Sequence, residues 1–569
     1  MAKNPVRLLK VSFICSVLVV SEGAFASQHN VLTANNAQPL SWGQEKVDTD
    51  DTSTQIAPIS SSSSPQEIGE QIQILLPKQI KPIYYQQLSR LYSVNNLQPL
   101  WRDENAIQNF KEQLFDLSLA GFQPQFGKWI VQLNSPELSE MGRDIILSDA
   151  MLGYLHFINN IHNKGDSWLY SKTPYKIDLP PHNLIEKWQQ QVKSNNINNY
   201  ISSLSPNHSM YGLMREEMLK QLKDKQPWSE FSMKGTLKPG QSSQSVIALR
   251  NILIRSGTLK SSAVSPENKI YNKELVAAVK RFQASHGLTA DGVIGQSTRV
   301  WLNTTPKIRA RIMALNMQRL RIIPDNLPTA ILVNIPNYSL LYNLNGEEAL
   351  SSKVVVGRPS RKTPIMSSEL NNVVINPPWT VPVSMTRKDI APRAMRDPNY
   401  FRSRGYTVFA SWSSDATVID PSSINWGTIT PSNFPYRIRQ APGPTNSLGR
   451  FKFNMPNSEA IYLHDTPNQA SFKREMRAVS SGCVRVNKAP ELANMLLGDA
   501  GWNKGKVNNS LKTWVTKYVN IPKRIPVFLY YQTAWVDEKG KPQYRADIYE
   551  YDSHTRQKSE LMSNILATI

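Results

Sequence analysis

Apolar residues recur at three- and four-residue steps through the first part of the chain and at two-residue steps further on, which predicts helices first and strands later. Ile107, Phe110, Leu114 and Leu117 form one helical face, opened by Asp103 as a candidate N-cap and ended by Gly121. Ile145, Leu152, Leu155 and Ile158 form a second. From Leu237 to about Asn303 the pattern breaks into short helices around Val246–Leu249 and Ala278–Gln283, with Gly287, Gly292 and Gly295 as turn residues. Ile308, Ile312 and Leu315 share a face of a connecting helix with Pro306 in its first turn. Strands are expected at Ala330–Ile335, Ser339–Tyr342, Ser352–Val356 and Ala460–His464, with turns at Pro336-Asn337 and Asn345-Gly346. The 379–433 stretch has weak periodicity and is rich in Arg, Pro, Ser and Tyr. Residues 27–68 are too poor in apolar side chains to build a core and read as a disordered tether.

The start of the chain reads as an export signal over residues 1–26. Lys3, Arg7 and Lys10 precede an apolar run from Val11 to Val20 and an Ala24-Phe25-Ala26 cleavage pattern. About ten apolar residues fall short of the roughly 20 that span a bilayer, and retention of the segment as an inner-membrane anchor is the alternative to cleavage. The formal charge of the 569-residue chain is +21, and it stays strongly basic after the signal is removed. For an exported protein this favours an anionic wall or membrane surface. The basic residues are scattered and no nucleic-acid motif is present. His156, His162, His182 and His208 lack metal-ligand spacing with acidic partners, and His286 falls at a turn of a helical module.

Only two cysteines are present, and Cys15 lies in the signal core. Cys483 is then an unpairable thiol in an oxidising compartment, either inert or reactive. It sits in Ser480-Ser481-Gly482-Cys483-Val484-Arg485-Val486, with His464 upstream in Ile461-Tyr462-Leu463-His464-Asp465-Thr466. Strand alternation places Tyr462 and His464 on one face, and Gly482 allows a tight turn at the sulfur. An unperturbed thiol is only a few per cent ionised at neutral pH, so a nucleophile here needs a base or a positive neighbour. His464 and Arg485 are the candidates.

These words resemble the signature of the bacterial cell-wall L,D-transpeptidases, in which a His precedes Ser/Thr-His-Gly-Cys-x-Asn/Arg. Ser481 stands where most members carry a second His. Arg437–Gly449, Asn376–Pro382 and Pro526–Tyr531 extend the resemblance to the large YcbB-type enzymes of Gram-negative bacteria. It implies a multidomain α+β chain. A helical scaffold domain (69–235) would contain the Leu97–Trp101 word. A three-helix peptidoglycan-binding domain (236–304), a connecting helix (305–328), a mainly-β catalytic domain (329–550) and a C-terminal tail (551–569) would follow. The 379–433 insertion would cap the active site, with Trp379, Trp412 and Trp426 as lid candidates. The resemblance further implies a periplasmic enzyme that needs no metal or organic cofactor. Cys483 would take an acyl group from a tetrapeptide stem, releasing D-alanine, and pass it to the side-chain amine of a second stem as a 3→3 cross-link. His464 would move the protons. Gly482, Cys483 and Tyr462 are oxyanion candidates, Ser481 lies beside them, and Arg485 is a candidate for a substrate carboxylate. Expected partners are peptidoglycan stems, wall-synthesis proteins and carbapenem-type inhibitors. The Ser-x-x-Lys, Ser-Asp-Asn and Lys-Thr-Gly set of serine acyltransferases is absent. An L,D-carboxypeptidase or cross-link hydrolase on the same fold, and a wall-binding protein with an inert thiol, are the alternatives.

Overall fold

The computed structural model describes residues 64–568 apart from 172, 174, 261–266, 398, 426–427, 431 and 558. The expected signal and most of the expected tether lie outside the described residues. Helix begins earlier than the tether reading allowed. Ser64 caps Pro65–Leu75 through a reciprocal capping box with Glu67, and Ile68 and Ile72 are buried.

Nine helices between Pro65 and Lys223 build the N-terminal region among the described residues. Helix Glu104–Ala120 starts and stops where the sequence predicts, with the Asp103 carboxylate on the Asn105 and Ala106 N–H groups and Gly121 left-handed at φ +77°. Its core is aromatic: Trp101 stacks on Phe110 at 5.1 Å and Phe122 on Phe157 at 5.6 Å. The buried Asp144 carboxylate accepts the N–H groups of Leu100 (3.1 Å) and Trp101 (2.8 Å), which fixes the Leu97–Trp101 segment against helix Glu140–Lys164.

Three shorter helices, Ser245–Arg255, Lys273–Ser285 and Gln296–Leu302, follow. His286 at their edge is buried, bonded through Nδ1 to the Phe282 carbonyl (2.7 Å) and stacked on the Phe282 ring (4.0 Å). Burial pushes its pKa well below the ordinary imidazole value. It is a packing residue.

Helix Pro306–Arg319 is not amphipathic in place. It is buried on nearly every side, packed on helices Glu104–Ala120 and Tyr211–Lys223 and on the C-terminal segment. The fully buried Arg319 guanidinium pairs with Asp552 at 2.8 Å. The expected tail is therefore an anchored segment. Arg311 donates to the carbonyls of His554 (2.9 Å) and Gln557 (2.7 Å), and Ile565 of helix Glu560–Ala567 fills the space above Gly127.

The rest is mainly β. Strands β1 (Ala330–Asn334), β2 (Ser339–Leu344), β3 (Glu347–Gly357) and β4 (Met366–Ile375) lead into β5 (Trp379–Thr380), β6 (Tyr406–Phe409), β7 (Val418–Ile419) and β8 (Arg437–Gln440). Then come β9 (Phe451–Asn454), β10 (Leu463–His464), β11 (Ala478–Ser480), β12 (Val484–Val486), β13 (Lys517–Tyr530) and the hairpin β14 (Ala534–Val536) and β15 (Pro542–Tyr544). The main sheet runs β11-β3-β12-β10-β9-β4-β13-β1-β2, and β2 pairs again with β3, so eight strands close into a ring with β11 attached. Asn345 and Gly346, both at positive φ, make the β2–β3 turn as the sequence predicts.

The 379–433 insertion is not irregular. It supplies three strands of a second sheet, β5-β8-β6-β7, which β8 completes beyond the expected boundary. Val381, Phe401, Val408, Phe434 and Ile438 form a core of its own. Strands of two to four residues are too short to give a readable period.

Candidate active site

Register, rather than sequence proximity, assembles the chemistry. β10 lies between β9 and β12, with His464 opposite Lys452 and beside Arg485. Three basic side chains thus stand in a row across three strands, and Cys483 immediately precedes β12. Lys452 is a site residue that sequence reading missed. Its only signal is its cross-strand partner, and that becomes visible once strands are paired.

The cysteine loop is held from several directions. The Ser480 hydroxyl donates to the Cys483 carbonyl (2.7 Å) and accepts from the Gly482 N–H (3.2 Å). Gly482 sits at φ +123°, where an L side chain is strained. Its carbonyl accepts from Thr363 Oγ1 (2.6 Å), and the Thr363 N–H donates to the Tyr549 hydroxyl (3.0 Å). The Gly482 N–H is thus engaged within the loop and is no longer an oxyanion candidate. The Cys483 N–H and the Tyr462 hydroxyl remain candidates, the hydroxyl bonded here to the Cys483 sulfur and to Trp379.

His464 Nδ1 lies 2.5 Å from the carbonyl of Asp465. A carbonyl can only accept, so Nδ1 carries the proton and Nε2 presents a lone pair. The group orienting the base is thus a backbone oxygen, which leaves no trace in sequence. Burial, reinforced by Arg485 and Lys452, pushes the His464 pKa down to about 3. Burial also raises the Cys483 thiol, against the opposing pull of the Tyr462 N–H and hydroxyl, Lys452 and Arg485. Both shifts favour the uncharged partners over a thiolate–imidazolium pair in the resting site. It follows that iodoacetamide alkylation of Cys483, mapped by peptide mass, is slow at pH 6 and still rising beyond pH 9. A plateau already reached by pH 7 would contradict this electrostatic account.

A cavity of about 440 Å³ opens over the pair, lined by Cys483, His464, Tyr462 and Arg485 from the main sheet and by Trp379, Met385, Asp389 and Tyr400 from the cap. Trp379 hydrogen-bonds Tyr462, whose ring packs edge-on to His464 (5.7 Å) and under the Lys452 ammonium (4.3 Å). Tyr462 in turn bonds the Cys483 sulfur. The cap is also latched to the loop. Arg361 forms an ion pair with Asp389 and donates to the Ser481 hydroxyl at 3.1 Å. Of the lid candidates, Trp379 lines the cavity, Trp412 is 42% exposed and does not, and Trp426 lies outside the described residues. Arg485 has no carboxylate partner among the described residues, and its buried Nε is unbonded. The expectation that this cation is available to a ligand fits that environment.

Three segments match known families: residues 328–517 an "L,D-transpeptidase catalytic domain", 86–218 a "Scaffold domain" and 242–302 a "Putative peptidoglycan binding domain". A Haemophilus influenzae protein named "Putative L,D-transpeptidase" is 34% identical over 475 residues, 83% of this chain and 79% of that one. Two solved structures also align at 13% identity, each with a TM-score of 0.16, too low to bear on the fold. They are an LD-transpeptidase in complex with imipenem, over 36% of this chain and 59% of that one, and an L,D-transpeptidase segment from Xylanimonas cellulosilytica, over 52% and 99%. With Cys483, His464 and residues of the inserted sheet lining one cavity, and a relative of this identity aligned over most of its length, the chain belongs to the L,D-transpeptidase family.

Proposed function

We propose that this enzyme forms 3→3 cross-links between peptidoglycan stems through a thioester on Cys483. The observation that carries the reading is Cys483 and His464 in one capped cavity, with His464 Nδ1 held by the Asp465 carbonyl and, alongside, an Arg485 that has no carboxylate partner among the described residues. His464 Nε2 takes the thiol proton as sulfur attacks the carbonyl of the donor's third residue. The tetrahedral oxyanion is stabilised by the Cys483 N–H and the Tyr462 hydroxyl. Collapse breaks the C–N bond, and His464 returns the proton to the departing D-alanine amine. The amine of a second stem then attacks the thioester, gives its proton to His464, and restores the thiol as the C–S bond breaks. Arg485 supplies the charge complement for a stem carboxylate.

The cap over the thioester favours an amine acceptor over water, which is why cross-linking is preferred to hydrolysis on the same fold. The adjoining three-helix module is read as the wall-binding unit, and the site of action as the periplasm. A carbapenem, itself an acyl donor, should form a covalent adduct that maps to Cys483 by peptide mass. Acylation of a serine, or no adduct at all, would overturn the thiol mechanism.

The latch gives a second test. Asp389→Asn removes the charge that holds the cap to Arg361, with both partners at the surface margin. Carbapenem acylation should change little, while the hydrolysed fraction of stem product rises several-fold. An unchanged ratio would mean that the cap does not exclude water.

A further inference from the structure

Cys483, Arg485 and Asn487 alternate onto one face of β12 and the residues flanking it, the face that also carries Lys353 of the paired strand β3. The capped cavity occupies the Cys483 end. At the Asn487 end lies a second cavity of about 630 Å³, between β3, the 3-10 turn Gln469–Lys473 and the residues entering β11 and leaving β12. Four cations line it, Lys353, Lys473, Arg477 and Lys488, and no carboxylate does.

Arg477 is fixed, donating to the Val354 carbonyl (3.2 Å) and lying over the Tyr338 ring (5.0 Å). Lys353, Lys473 and Lys488 are exposed, and none has a carboxylate partner among the described residues. Like charges brought together in a concavity whose lining holds no carboxylate repel one another and focus a positive potential that an anion relieves, with Glu475 at the margin engaged by the Thr289 N–H. The volume falls within the ordinary range for ligand pockets, roughly 300–1,000 Å³.

Two placements identify the anion. First, the cavity adjoins the three-helix module. Arg545 bonds both the Ser285 carbonyl of that module (3.2 Å) and Asn337 of the cavity wall (2.5 Å), and Glu475 accepts from the Thr289 N–H (3.2 Å). A wall strand held by the module, as the proposed function has it, would thereby reach this entrance. Second, Asn487 lies four residue steps beyond Cys483, about 13 Å at the strand rise. A tetrapeptide stem has that reach.

We propose that this basic cavity is an exosite for the acceptor, binding the carboxylates of the second peptide stem while the remainder extends toward the thioester. The proposal rests on the cross-linking reading for its role, though not for its ligand.

The test uses the full chain. In a Cys483→Ala background, calorimetry follows binding of a synthetic tetrapeptide stem with free carboxylates. Combining Lys353→Gln, Lys473→Gln and Lys488→Gln should weaken binding about tenfold or more, as should amidation of the peptide carboxylates or raised salt. With Cys483 restored, the triple variant should keep normal β-lactam acylation and donor D-alanine release but show a raised acceptor KM. Equal peptide affinity with and without the lysines would overturn the exosite. So would an unchanged acceptor KM, or occupation by inorganic phosphate with no peptide binding. A lysine-dependent peptide affinity in a protein that forms no cross-links would uphold the cavity's ligand and overturn the cross-linking reading instead.

Discussion

Replacing Cys483 by alanine should abolish acyl transfer and leave the fold intact. The half-buried side chain sits at the margin of the main core and its hydrogen bond to the Ala460 carbonyl is a loose 3.9 Å, so alanine here leaves only a small void. The loop is held by Ser480, Thr363 and the Gly482 turn, none of which uses the thiol. Without the nucleophile the thioester cannot form, and turnover should fall on the order of 10⁶-fold, the scale seen when a covalent nucleophile is removed. Melting temperature should stay within a few degrees of the parent. Stem cross-linking that survives in a Cys483→Ala protein would end the thiol mechanism, whatever the state of the fold.

His464→Ala should cost roughly 10²–10⁴-fold in turnover, the span of general acid–base catalysis. The defect carries a pH signature. In the proposed mechanism the imidazole takes the thiol proton as sulfur attacks, because burial raises the Cys483 thiol while it lowers His464 to about 3. As pH rises through the raised thiol pKa, solvent removes that proton instead, and the gap between variant and parent should narrow. His464→Gln serves as control, because His464 is buried and packs on Tyr462. If the alanine variant melts early while the glutamine variant is folded and fully active, His464 is a packing residue. A folded glutamine variant with a constant, pH-independent deficit would assign it to substrate positioning.

The short-range chemistry was legible in the sequence because it is carried by neighbouring residues. Gly482 beside Cys483 implied a tight turn, and two-residue alternation placed Tyr462 with His464. The expected Ala460–His464 strand shrinks to two residues for a local reason. Asn457 brackets Ile461, accepting its N–H (3.0 Å) and donating to its carbonyl (2.7 Å), and Ala460 takes a positive φ. What depends on long-range pairing was not legible. Lys452 joins the site through strand register, and Asp465 orients the base through its carbonyl. Arg361 and Asp389 meet only after the cap folds onto the sheet. The C-terminal segment looked like a tail because its anchor, Arg319 on Asp552, spans more than two hundred residues of sequence. The Pro65 helix start was written in Ser64 and Glu67 but hidden by the serine run before it.

The most direct test of the account is the mass spectrum of products formed from purified tetrapeptide stems by the full-length protein. The account predicts loss of one D-alanine per event and a dimer joined between the third residues of two stems. A product set made only of shortened monomers would make the enzyme a hydrolase, and unreacted stems alongside a carbapenem-reactive Cys483 would contradict the cross-linking reading outright.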